Sequence, residues 1–415
     1  MNKTKCDVLV IGAGPAGLAA ACAAKEAGAE YVTVLERDMN PGGILQQCIH
    51  PGFGLKYFGE ELTGPEYAGR FARRAKELGV NFLFGTTAMK FGDNSLIGVN
   101  PTGIQDIRYG AAVLAMGCRE RTRANLVIPG SRPSGIFTAG TAQKLINIQG
   151  RKIGKKVVIL GSGDIGMIMA RRLTLEGIHV EAVVEIMPYL AGLTRNRVQC
   201  LDDFGIPLML SHTITEIRGR DRVEGVTIAP VDEARRPIAS EAFSIACDTV
   251  LLSVGLIPEN ELSRTANVDL SPVTRGAFVD STMQTNRAGI FACGNTLHVN
   301  DLVDNVSAES AMAGRNAALF ADGKLCVNEK IPANPAQGVR YVCPQFVEKG
   351  AKDVKLFFRV SNPMGASTLT ASCGGQILAT RNVVRATPGE MECLVLKEVS
   401  ADLKGEIVVS AVERG

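Results

Sequence analysis

Paired cysteines are missing from this chain. Eleven cysteines are scattered over 415 residues, and none forms a Cys-x2-Cys or Cys-x4-Cys pair. That scatter excludes the commonest disulfide and zinc frameworks, so no metal site is expected, and it fits thiols held reduced in the cytoplasm. Lys/Arg runs and aromatic-basic stripes are absent, and the formal charge is only +3. A nucleic-acid partner is therefore not expected. Histidine is scarce, with four residues, which narrows the choice of acid–base groups. Long apolar runs are lacking too. The stretch Ala16 to Ala24 stops at Lys25-Glu26, far short of a bilayer span. The first apolar strand begins at Asp7, which leaves no room for a signal peptide and again points to the cytoplasm.

What the chain does have is glycine, 45 residues of it, in a repeated arrangement. Gly12-Ala13-Gly14-Pro15-Ala16-Gly17 and Gly161-Ser162-Gly163-Asp164-Ile165-Gly166 are the same loop written twice, in phase with a later glutamate, Glu36 and Glu185. Asp7 to Ile11 and Lys156 to Leu160 are β-branched runs suited to a strand buried on both faces. After each strand the first glycine permits a tight turn, the second admits a pyrophosphate, and the third lets the helix approach the sheet. The pyrophosphate then meets the helix N-terminus, where free N–H groups and the dipole favour an anion. Val32 to Leu35 and Val180 to Val184 read as the next parallel strands, placing Glu36 and Glu185 where a carboxylate accepts ribose hydroxyls. A carboxylate there repels a 2′-phosphate, so Glu185 favours NAD(H) over NADP(H). The chain is expected to bind two dinucleotides.

A second pair of landmarks follows. Tyr109 to Gly117 and Cys247 to Gly255 are apolar strands ending in glycine, and Ala115, Gly117 and Gly255 lie where each would close a dinucleotide unit. Gly64 to Leu78 reads as a helix capped by Thr63, and Asn81 to Phe84 as a strand. Arg119 to Ala139, rich in Gly, Pro and Arg, reads as a linker crossing between the halves. Gly289 to Asn295 is a further strand ending in glycine, followed by a helix from about Ser307 to Phe320. Beyond the break at Ile331 to Pro335, the segments Val354 to Val360, Gln376 to Thr380 and Glu406 to Val412 favour strands. The expected fold class is α/β: two doubly wound Rossmann-like domains, the NAD domain (121–274) inserted in the FAD domain (1–120 and 275–326), with a small β-rich domain at 327–415.

On these residues the chain resembles the two-dinucleotide-binding flavoprotein superfamily that includes thioredoxin reductase and glutathione reductase. The resemblance covers roughly residues 5 to 325. It implies FAD in the first unit, NAD in the second, and a return to the FAD domain at Ala292-Cys293-Gly294-Asn295. The superfamily usually has aspartate where Asn295 stands; asparagine keeps hydrogen-bonding capacity without the charge. The segment Gly42 to Gly54, with Arg119-Glu120-Arg121 and Gly294 to His298 followed by Asp301 and Asp304, is similar to one subgroup. These are bacterial FAD/NAD-dependent oxidoreductases found alongside glycerol-3-phosphate dehydrogenases and related to the α subunits of opine, proline and sarcosine oxidising complexes. Arg37, Gly43 and Ile44 join the cofactor-binding candidates by the same resemblance.

Three residues are candidates for chemistry. Cys48 lies in the stretch where the superfamily keeps its redox disulfide, but it stands alone there. A single thiol can act if a nearby cation lowers its pKa; the alternative is a packed thiol beside the flavin. His50 and His298 fall in segments expected near the flavin and are candidate acids or bases, with structural hydrogen bonding the alternative for each. The helix after Asn295, with Glu309, is expected to aim its N-terminus at the flavin pyrimidine edge. Three functions remain open at this point. The chain is an electron-transfer component that exchanges hydride between NAD(H) and FAD in a dehydrogenase complex, for example for glycerol 3-phosphate; or a Cys48-dependent disulfide, persulfide or peroxide reductase; or a flavin-bearing scaffold subunit of an amine or amino-acid dehydrogenase. The expected partner is a small-molecule or protein redox partner, either a dehydrogenase subunit or a second copy of the chain.

Overall fold

The computed structural model describes residues 2–326 and 328–414, so Val327, at the start of the expected terminal domain, and Gly415 lie outside the described residues. By contacts the chain forms two compact units, Met1–Cys118 with Pro258–Gly415 and Arg119–Ile257. Residues 258–274, assigned above to the second domain, pack with the first. Asn260 Nδ2 donates to the carbonyls of Arg275 and Thr296, and Leu262, Ala266 and Val268 join the first unit's core.

The first unit is built on a seven-stranded sheet. Asn81–Leu83, Val32–Leu35, Asn2–Ile11, Gly103–Leu114 and Ile290–Ala292 run parallel, so their carboxyl ends share one edge. The long strand Gly103–Leu114 serves two partners on one side. Its first half pairs with the antiparallel hairpin Thr87–Gly92 and Ser95–Asn100, and its last residues pair with Ile290–Ala292. Asn2–Ile11 has neighbours on both sides, and the chain order reverses there, which opens a crevice at the strand ends. The helix Pro15–Glu26 is Ala-rich because it is pressed between this sheet and the helix Val303–Ala321; a Cβ on Gly314 would stand 1.9 Å from the Ala20 carbonyl oxygen. That last helix starts a turn earlier than expected. Leu302 precedes it without a side-chain cap, so no capping residue marks its start, and Asp304 occupies its first turn. Gly64–Glu77 does carry the predicted cap, a reciprocal box between Thr63 and Glu66.

The terminal strands form a five-stranded sheet, in the order Phe346–Glu348, Lys330–Pro335, Ile407–Glu413, Ser367–Cys373, Gln376–Val383, and a three-stranded sheet of Val339–Cys343, Lys352–Val360 and Glu392–Glu398. Leu356, Phe358, Leu369, Leu394, Ile407 and Val409 make a separate core there.

The second unit has a five-stranded all-parallel sheet: Ile136–Thr138, Thr249–Leu252, Lys156–Leu160, His179–Glu185 and Leu208–Leu210. The expected linker 119–139 thus contains an edge strand, since Ile136–Thr138 pairs with Val250–Leu252. Apolar cores fill both faces, as a parallel sheet requires. An antiparallel sheet of His212–Gly219, Val223–Pro230 and Phe243–Ile245 completes the unit. Among the described residues no helix is long and apolar enough to cross a membrane.

Candidate functional site

The two glycine loops are built alike. Gly12 and Gly161 have φ of +103° and +102°, a region in which any side chain is strained, and a Cβ would lie 2.5 Å from the Ala115 oxygen or 2.1 Å from the Ser253 oxygen. Gly17 and Gly166 face their own first glycine, with a Cβ 1.7 and 2.6 Å from the carbonyl oxygens of Gly12 and Gly161. Gly14 is the exception: nothing lies within 4 Å of where its Cβ would stand, and at Gly163 the nearest atom is 3.8 Å away. Glycine is needed at the first and third positions to fit the protein, whereas at the second the space is open. Gly14 and Gly163 are also the N-cap residues of Pro15–Glu26 and Asp164–Leu175, and neither helix has a side-chain cap. The first-turn N–H groups remain for an outside acceptor beside an open cradle, which fits a pyrophosphate at each loop.

The glutamates do a further job that the sequence did not reveal. Glu36, buried, accepts the N–H of Ala13 on Oε2 at 2.7 Å and that of Asp38 on Oε1 at 2.8 Å. Glu185, buried, accepts the N–H and hydroxyl of Ser162 on Oε2, both at 2.8 Å, and the N–H of Met187 on Oε1 at 2.9 Å. Each carboxylate therefore braces the second residue of its loop, with lone pairs left over for a ribose. The same two loop residues are held from the other side. Gly42 N donates to Ala13 O at 2.8 Å, and Gly192 N to Ser162 O at 3.1 Å. Residues 191–193 were not singled out from sequence, although the glycine after the second strand was a signal. Asp164 belongs to this lock, its Oδ1 accepting from Leu193 N and Asn196 Nδ2. Ile165 packs into the core behind the loop, and Arg37 is exposed beside Glu36.

Other cofactor candidates converge on the first loop. A Cβ on Gly43 would sit 3.0 Å from the Gly14 Cα, and one on Gly294 2.7 Å from the Ala16 Cβ. Ala115 N donates to Ile11 O, and Thr296 Oγ1 to Gly117 O. Gly117 and Gly255 both take positive φ. Asn295 Oδ1 accepts Asn300 N at 2.9 Å, closing its turn, while its Nδ2 approaches Cys118 Sγ at 3.6 Å. Ile44 is 54% exposed on the short helix Gly43–Gln47, next to these loops.

The chemistry candidates fare differently. Cys48 ends the 43–47 helix and donates its thiol to Ile44 O at 3.3 Å; its own carbonyl accepts Gly64 N at 2.8 Å. Burial pushes the thiol up to about 12, which favours the packed thiol of the two alternatives over one activated by a cation. His50 is half-buried, its ring tilted against Phe53 at 5.1 Å. His298 is 1% exposed and bonded to Glu309 at 2.6 Å. A group so enclosed does not present itself to substrate, and its geometry is that of a positioning residue.

Comparison with known proteins agrees with this arrangement. One family profile, pyridine nucleotide-disulphide oxidoreductase, matches residues 6–318. A subunit of the opine oxidase of Agrobacterium tumefaciens is 28% identical over 81% of this chain and 70% of its own length. Hydrogen cyanide synthase subunit HcnB of Pseudomonas protegens is 26% identical over 75% of this chain and 69% of its own. Thioredoxin reductase of T. acidophilum superposes with a TM-score of 0.61 at 24% identity, covering 77% of this chain and 99% of that one, which shows a shared fold.

Proposed function

We propose, from the premise that the chain belongs to the pyridine nucleotide-disulphide oxidoreductase family, that it is the NAD(H)-linked flavoprotein component of a multi-subunit dehydrogenase. The family binds FAD and NAD(P), and the chain is an FAD-dependent oxidoreductase of this type. When bound, the flavin supplies the two-electron chemistry, exchanging hydride with the nicotinamide. The chain's share is orientation and electrostatics. The loop Gly12–Gly17 braced by Glu36, together with Gly294-Asn295, is suited to FAD, and Gly161–Gly166 braced by Glu185 is suited to NAD(H). Buried Glu185 disfavours a 2′-phosphate.

The observation that carries the partner reading is the state of Cys48. It has no neighbouring cysteine in the sequence and burial holds its thiol up at about 12, which supports a route for electrons that does not run through a vicinal dithiol of the kind a disulfide reductase uses. Electrons must then leave to an outside acceptor, or arrive from an outside donor. Two relatives are named as subunits, which supports a protein partner. We assign glycerol 3-phosphate as the first substrate to try. The test is reconstitution with each candidate dehydrogenase subunit encoded by a neighbouring gene: oxidation of that subunit's substrate should reduce NAD only when both proteins are present. Absence of coupling with every neighbouring gene product would reject the partner reading.

A further inference from the structure

His298 is the meeting point of the first sheet's late turn and the terminal β domain. Its Nε2 lies 2.6 Å from Glu309 Oε2, and Glu309 Oε1 accepts the backbone N–H of Gly294 at 2.6 Å. The other ring nitrogen, Nδ1, is buried and has no hydrogen-bond partner. A buried N–H without an acceptor is costlier than a bare lone pair, so the proton belongs on Nε2, where Glu309 accepts it. The ring is flanked by Tyr341, edge-on at 6.0 Å, and by Phe357 at 6.1 Å, both from the terminal three-stranded sheet. From the same sheet Arg359 donates Nη2 to Val299 O and Nη1 to Pro388 O, each at 3.0 Å. The turn so held has no slack. Gly294 takes φ +67°, with the Ala16 Cβ 2.7 Å from where its own Cβ would be.

We propose that the terminal β domain is a clamp on the cofactor-side turn, fixing Gly294 and Asn295 for FAD through the His298–Glu309 hydrogen bond and the Arg359–Val299 contact. This rests on the assignment of FAD to the first glycine loop. His298, Glu309 and Arg359 are then positioning residues, and the terminal domain is part of the flavin site.

The test compares His298→Phe and Arg359→Met with the conservative His298→Gln and Arg359→Lys in the full chain. FAD affinity is read by fluorescence titration, the bound flavin by its visible spectrum, and NADH affinity by nicotinamide fluorescence. The His298→Phe change removes the donor to Glu309, and Arg359→Met removes the donor to Val299. Each should weaken FAD by about tenfold and alter the flavin band shape, while NADH binding stays as in the wild type. The conservative variants should stay within about threefold of wild type. Wild-type FAD affinity and spectrum in both His298→Phe and Arg359→Met overturn the clamp. So does an equal loss in the conservative pair, which would mean packing alone. If His298→Phe does not fold, Arg359→Met decides, because the Arg359 side chain, 14% exposed, is less enclosed than that of His298 at 1%. A wild-type chain that takes up no FAD would instead reject the cofactor assignment on which the clamp stands.

Discussion

Gly14→Ala and Gly17→Ala should fail for opposite reasons. Gly14 has φ −70° and ψ −176°, ordinary extended backbone for any residue, and no atom lies within 4 Å of the added methyl. The apoprotein should fold as the wild type does, within about 1 kcal/mol, the balance of a weaker N-cap against a stiffer unfolded chain. The methyl then occupies the cradle at the helix N-terminus. Charge-assisted hydrogen bonds are worth about 1.5–3 kcal/mol each, and displacing the pyrophosphate from one or two of them costs about 3 kcal/mol, a hundredfold or more in affinity. Gly17→Ala would place a methyl 1.7 Å from the Gly12 oxygen, a backbone atom with nowhere to go. That variant should lose well over about 3 kcal/mol of stability before any cofactor is added. The assays are thermal unfolding of the two apoproteins and FAD titration followed by flavin fluorescence. A Gly14→Ala protein that retains FAD as tightly as the wild type would refute the cradle, and a Gly17→Ala apoprotein as stable as the wild type would refute the close helix approach.

Three further outcomes follow from the same geometry. Stopped-flow reduction should be about a hundredfold faster with NADH than with NADPH, since a 2′-phosphate beside buried Glu185 costs on the order of a few kcal/mol; Glu185→Gln should narrow the gap, and equal wild-type rates would reject the role. Gly163→Ala should mimic Gly14→Ala at the second site, weakening NADH about a hundredfold while FAD stays bound, because its methyl meets only ordinary contact with Ser253 Oγ at 3.8 Å. With the Cys48 thiol at about 12, only on the order of one part in ten thousand is thiolate at pH 8, so iodoacetamide should modify Cys48 slowly, with a rate that climbs about tenfold per pH unit up to that value. A rate that levels off near pH 7 would mean an activated thiolate.

The repeated loops were legible because each glycine answers a local steric demand that leaves a mark in sequence: left-handed φ at Gly12 and Gly161, close helix contact at Gly17 and Gly166. The glutamates were legible in position but not in full role, since the bonds from Glu36 to Ala13 and from Glu185 to Ser162 exist only once the loop is wrapped. Ile136–Thr138 was hidden because three residues carry no periodicity and the partner, Val250–Leu252, is remote in sequence. The early start of Val303–Ala321 was hidden because Leu302 is no cap. Cys48 illustrates the general limit: its position could be read, but the height of its pKa comes from what the fold packs around it.

The central claim is that electrons pass between bound NAD(H) and FAD and then leave the chain, with no internal thiol pair to store them. Anaerobic dithionite titration of the FAD-loaded wild type tests it most directly. The account predicts that about one two-electron equivalent per FAD completes the reduction, and that Cys48→Ser gives the same endpoint. Uptake of a second equivalent by the wild type, abolished in Cys48→Ser, would contradict it.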